Sequence, residues 1–295
     1  MYLNILLVSG LLFLLSFLLE IFLSKITEVK KIKESLILEI LFSKGFQVLL
    51  ASFLGILIIK FMLPVISAHL SLKHYIVGIS CVFILIFYKL LNFKFKFFLV
   101  NIIFASSLMI TNDQFISLSF PILGNIQVGG YFNIILVLWL VLSSYAFKLY
   151  DDIKGLGPWA IIIIMAAISV ISFITDQVLI GTVNLIFIIS MIGILRSSLI
   201  NMEDKIGKTY TSLLGLIIGF LALEAGRVET TGAINSLVPL SILAVPLLEA
   251  LLAIKRKYIN GKKLEGQYIH DRLTKLGFTH KQSILILISL IFITS

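Results

Sequence analysis

The chain has 295 residues, 59% of them apolar and only 13% charged, with a mean hydropathy of +1.11. Soluble domains carry about 25% charged residues, so a water-soluble globular fold is excluded and lipid is the main solvent. The net charge of +9 lies in short loops between apolar runs, a distribution that argues against a nucleic-acid partner. A single cysteine, Cys81, excludes both an intrachain disulfide and a thiolate metal site.

Apolar runs long enough to cross a bilayer fall at about 2–24, 45–66, 74–91, 95–111, 130–148, 158–174, 178–196, 211–228, 236–255 and 282–295. They are continuously apolar and lack the alternation of barrel strands, so the expected fold is all-α: a single integral membrane domain over 1–295 with about ten transmembrane helices. The first run has no basic start or small-residue cleavage site and is broken by Glu20, so it reads as a retained helix. Loops 25–44, 89–96, 148–157, 196–210 and 255–281 hold 21 of the 24 Lys and Arg residues. Basic residues collect in cytoplasmic loops, which puts these five loops inside and both termini outside.

Four polar clusters follow in chain order. At the end of the fifth run Asp151 and Asp152 stand between Lys148 and Lys154. Adjacent carboxylates at a membrane boundary suit Mg2+, but the flanking lysines also suit local ion pairs. Before the eighth run, Asn201 to Thr209 has the balanced charges of a solvated loop. Its Gly207-Lys208-Thr209 lacks the upstream glycine and the strand-to-helix context of a phosphate loop. The loop at 255–281 carries His270, Asp271, Arg272, His280 and Lys281. Arg272 offers a planar fork for phosphate oxygens, and 271–276 reads as an amphipathic turn on the bilayer. Within the apolar runs, Glu224 has Arg227 at i+3 to pair with. Glu249 has no basic partner in its own helix nearer than Arg256, so it is expected to line a cavity.

These clusters together resemble the polyprenyl-phosphate N-acetylhexosamine-1-phosphate transferases, the group that includes phospho-MurNAc-pentapeptide translocase-like enzymes. The resemblance covers roughly 73–295 and is strongest in VPLLEALLAIKRK (245–257) and YIHDRLTKLGFTHKQSILI (268–286). LWLVLSSYAFKLYDDIKGL (138–156) matches the helix that carries an NAFNLIDGLDGL-type motif in the family. GILRSSLINMEDKIGKTYTSLLG (193–215) matches the segment ending in a Gly-Asp-Ser-Gly element.

The resemblance implies ten or eleven helices around a cytoplasmic cleft, Mg2+ as cofactor, and transfer of sugar-1-phosphate from a UDP-sugar to undecaprenyl phosphate. It also implies catalytic roles for Asp151, Asp152 and His270. Lys148, Lys154, Lys208, Glu249, Asp271 and Arg272 would contact substrate, and Asp151 is the one retained candidate metal ligand. The departures fall at the chemistry. The family's Asp-Asp pair lands on Phe87 and Tyr88, and two motif asparagines on Tyr145 and Lys148. A second motif Asp becomes Lys154, and Asp152 stands where Gly is usual. The Asp of the Gly-Asp-Ser-Gly element becomes Lys208, and a loop His becomes Tyr268. Phosphoryl transfer rests on positioning and charge neutralisation, so a pocket that gains ammonium groups is expected to lose turnover.

Three functions remain open. One is an active, drifted transferase. Another is a catalytically reduced member that retains an anionic lipid or nucleotide, or partners another protein; the third is an unrelated transporter. The residue changes favour the second.

Overall fold

The computed structural model describes residues 43–62, 101–103, 105–106, 117–120, 124–127, 132–201, 206–227, 233–256 and 268–295. The runs expected at 2–24 and 74–91, with Phe87 and Tyr88, lie outside the described residues, as does most of 95–111.

Over the described residues the chain is mostly helical. The helices are α1 (Lys44–Met62), α2 (Phe132–Tyr150), α3 (Leu156–Ile174), α4 (Val178–Asn201), α5 (Lys208–Ala225), α6 (Leu237–Ile242), α7 (Ala244–Ile254), α8 (Ile269–Lys275) and α9 (His280–Thr294). Four segments are long and apolar enough to cross a membrane: Asn133–Tyr150, Leu156–Ile174, Val178–Arg196 and Lys208–Ala225. Each coincides with an expected run, because a helix in lipid needs about 20 apolar residues to satisfy its own backbone.

The run expected at 236–255 is a single span in sequence but two helices in the structure. The break falls at Leu243, whose φ of −101 and ψ of 10 leave the helical region. Pro246 explains it, since its ring would collide with the carbonyl of Ile242 in a continuous helix and it has no amide to donate. The sequence reading also held no strands, whereas the structure has a small sheet of β1 (Ser117–Phe120), β2 (Gly124–Gln127) and β3 (Ala233–Asn235). β2 pairs antiparallel with β1, and β3 pairs parallel with β1 on its other edge. The sheet lies by the far end of α5, where Asn235 N donates to Gly226 O at 2.7 Å and Ser236 Oγ donates to Ser119 O at 3.0 Å. The Glu224–Arg227 pair foreseen at i+3 forms there at 3.5 Å.

The α2–α5 contact is the tightest helix pair and fixes where the site residues stand. Gly215 and Gly219 lie one turn apart on α5. A Cβ on Gly215 would sit 2.9 Å from Phe147 Cβ and 3.0 Å from the Ser143 carbonyl; one on Gly219 would sit 2.9 Å from Ser143 Cβ. This is the close backbone approach that small residues four apart allow in membranes. Ser143 Oγ donates to Gly215 O at 2.7 Å and Trp139 Nε1 to Gly219 O at 3.3 Å. One turn further, Asn101 Oδ1 accepts from Ser144 Oγ at 2.8 Å and Ser212 Oγ at 3.2 Å. Gly215→Ala should therefore destabilise by about 1–3 kcal/mol, the usual cost of overpacking. Thermal unfolding in detergent measures it, and an unchanged midpoint would show that the helices can move apart freely.

Candidate functional site

The site is built where α2 ends and α5 begins. α2 closes in a tight turn: Asp151, Asp152 and Ile153 amides donate back to Phe147, Leu149 and Tyr150 carbonyls, and Gly155 takes a φ of 78 before α3 starts. The turn presents two consecutive carboxylates to the start of α5. Asp151 is buried, and its Oδ1 accepts from the amides of Ile206 at 3.0 Å and Gly207 at 3.2 Å. An anion fits there, because the amides at a helix start lack intrahelical partners and the helix dipole is positive at that end. Asp152 takes the next contact. Its Oδ1 lies 2.5 Å from Lys208 Nζ, the first residue of α5, and its Oδ2 accepts from the Tyr268 hydroxyl at 3.3 Å. One carboxylate thus bridges an ammonium on α5 and a phenol at the start of α8. Burial, and after it the Asp152 charge, push the Tyr268 pKa up, so the phenol stays a donor.

α8 is set by its own first residues. Tyr268 N donates to Asp271 Oδ2 at 2.8 Å, so Asp271 is largely occupied as a cap. His270 is buried, and its Nε2 lies 2.8 Å from His280 Nδ1, with the rings edge to face at 4.7 Å between centroids. His270 Nδ1 is 3.7 Å from Asp271 Oδ1. Glu249 is buried on α7 beneath this layer, with the Tyr150 hydroxyl, the Ile269 amide and the charges of Arg256 and Asp271 acting on it. Neither carboxylate oxygen reaches the alignment of a full hydrogen bond, nor does the Tyr150 hydroxyl.

The structure therefore brings Asp151, Asp152, Lys208, Asp271 and His270 into one connected layer, with Glu249 buried nearby on α7. Lys148 is half-buried in the last turn of α2, and Lys154 is exposed on the α2–α3 turn. Arg272 is exposed and stands two positions from buried His270, about 200° around the helix from it. Three further groups stand at the layer. Tyr268 takes the place where the resemblance puts a histidine, Tyr150 has no sequence signal beyond its place before the acids, and the Ile206–Gly207 amides are invisible to side-chain patterns.

Magnesium prefers several oxygen ligands in octahedral array, and these donors do not fit it. One Asp151 oxygen is committed to two amides, and both Asp152 oxygens have partners. Among the described residues no group of three or more His, Cys, Asp or Glu is placed to hold a metal ion.

The chain is also similar to a known protein. The chain is 30% identical over 162 residues to a probable undecaprenyl-phosphate N-acetylglucosaminyl 1-phosphate transferase of Bacillus subtilis (strain 168). The match spans 54% of this chain and 45% of that protein, so the chain covers less than half of its relative's length. No family model matches. This similarity supports, at a distance, the resemblance read from the motifs.

The histidine pair gives a pH dependence with a definite sign. Burial, and secondly His280, hold the His270 pKa below its ordinary 6.5, while Asp271 pulls the other way. The folded chain thus binds fewer protons than the unfolded chain as pH falls below that value, and stability drops on acidification. Protonating both rings also removes the lone pair their contact requires. The unfolding midpoint should fall between roughly pH 7 and roughly pH 5, and less steeply in His270→Phe. Equal slopes in the two proteins would rule out the pair as the cause.

Proposed function

We propose that the chain is a divergent polyprenyl-phosphate sugar-1-phosphate transferase, seated in a bacterial inner membrane with the Asp152–Lys208–Tyr268 layer on the cytoplasmic side. In this reading it keeps binding of an anionic nucleotide sugar or lipid phosphate while its Mg2+-dependent turnover is reduced or lost. The observation that carries the reading is the closure of Asp152 between Lys208 and Tyr268, in a chain about half of which is similar to a transferase. Lys208 is more than half exposed, so a phosphate group can compete with Asp152 for its ammonium. Lysine neutralises phosphate as a point charge, and that exchange needs no metal.

A specific observation favours a second reading, that of an active enzyme: the matched relative is named as a transferase. In that reaction a lipid-phosphate oxygen bonds to the phosphorus of the sugar-1-phosphate, and the bond to the UMP oxygen breaks. Asp151 and Asp152 would then have to exchange their present partners for substrate or metal. Such positions matter because losing one electrostatic stabiliser commonly costs about 3–4 kcal/mol of barrier.

Two measurements on the purified full chain decide between the readings. UDP-N-acetylhexosamine or undecaprenyl phosphate should bind equally with and without chelator. Affinity should fall about tenfold or more in Lys208→Glu and in Lys208→Gln, the scale of one charge-assisted hydrogen bond. Unchanged binding by both variants would remove the basis of the reading. With both substrates and Mg2+ present, UMP release that disappears in Asp151→Ala and Asp152→Ala would establish the active enzyme instead.

A further inference from the structure

The turn between α8 and α9 presents an apolar pair that the fold leaves uncovered. Leu276 is 76% exposed and Phe278 42%. Between them Gly277 holds a φ of +97 with nothing near the position of a Cβ. This pair is not on a slack loop. Thr279 and Gln282 cap each other at 2.9 and 3.3 Å, Phe278 N donates to Leu273 O at 3.2 Å, and His270 is locked to His280 at 2.8 Å. The inner face of α8 is fixed as well, because Ile269 and Leu273 pack against the hydrophobic core. What remains outward is Arg272, Lys275, Leu276, Phe278 and, at the start of α9, Lys281.

Exposed large apolar side chains held rigidly within a ring of cations match one environment, the boundary between anionic headgroups and acyl chains. The patch also continues the outward apolar face of α9, formed by Leu285, Leu290, Phe292 and Ile293. We propose that the α8–α9 corner is a docking wedge for an acidic phospholipid leaflet. Leu276 and Phe278 enter the acyl boundary, and Lys275 and Lys281 gather anionic headgroups around them. Because Tyr268, His270 and Asp271 of the candidate site stand at the start of the same short helix, the docked corner holds that site at headgroup height. The wedge stands on its own observations and does not depend on which ligand the site takes.

Proximity-dependent quenching in bilayers containing the full-length protein tests this directly. A bimane fluorophore is attached at Phe278→Cys, and in a second protein at Leu276→Cys, both with Cys81→Ser. Bilayers of phosphatidylcholine and phosphatidylglycerol carry a nitroxide on one lipid or the other at equal mole fraction. Nitroxide phosphatidylglycerol should quench more strongly at both positions, with a local enrichment of roughly fivefold for each basic side chain engaged. That preference should vanish in Lys275→Gln/Lys281→Gln and be absent for a label at Ile293→Cys. Equal quenching by the two lipids at both corner positions, no quenching at either, or a preference that survives the double substitution would each overturn the wedge.

Discussion

The arrangement depends on one electrostatic fact: both carboxylates of the α2–α3 turn are directed at the start of α5. Asp151 supplies an acceptor to two amides there, and Asp152 supplies a counter-ion to Lys208. A lysine at the first position of a helix opposes the helix dipole, and the adjacent carboxylate offsets that opposition. Buried amides left without an acceptor cost about 1–3 kcal/mol each, so Asp151 is a structural pin as much as a functional group. The close glycine-mediated packing of α2 on α5 brings the turn within reach of those amides, and the turn in turn fixes the direction of α5.

The rest of the layer is assembled on this joint. Tyr268 reaches Asp152 from α8, which ties the segment after α7 to the α2–α5 corner. Asp271 caps α8 at its first turn, and the His270–His280 contact joins α8 to α9. The chemistry of the cluster is therefore that of a carboxylate already neutralised by an ammonium and a phenol. Such a group is a poor seat for a divalent cation, while its exposed ammonium is well suited to meet a phosphate.

Much of this was legible in the amino-acid sequence, for identifiable reasons. Spans such as 158–174 and 178–196 were readable because lipid demands unbroken apolar length. The break at Leu243 was present in the sequence as Pro246 but was outweighed by the hydropathy of the whole run. The sheet was not readable: strands of three or four residues, such as Ser117–Phe120, carry too few alternations to signal a period. Asp151, Asp152 and Lys208 could each be singled out, yet their pairing could not, because it depends on how closely α2 approaches α5. The Gly215 and Gly219 spacing was the available clue to that approach. Arg272 lies on a short helix whose Ile269 and Leu273 pack inward, and its side chain is exposed.

The central claim is that the Lys208 ammonium is the counter-ion that neutralises Asp152. Titration of the purified protein with Mn2+, followed by its paramagnetic resonance, tests it most directly. The wild-type chain should show no binding that depends on Asp152, whereas Lys208→Asp should gain a site that disappears when Asp152→Ala is added. Wild-type Mn2+ binding that is lost in Asp152→Ala alone would contradict the account.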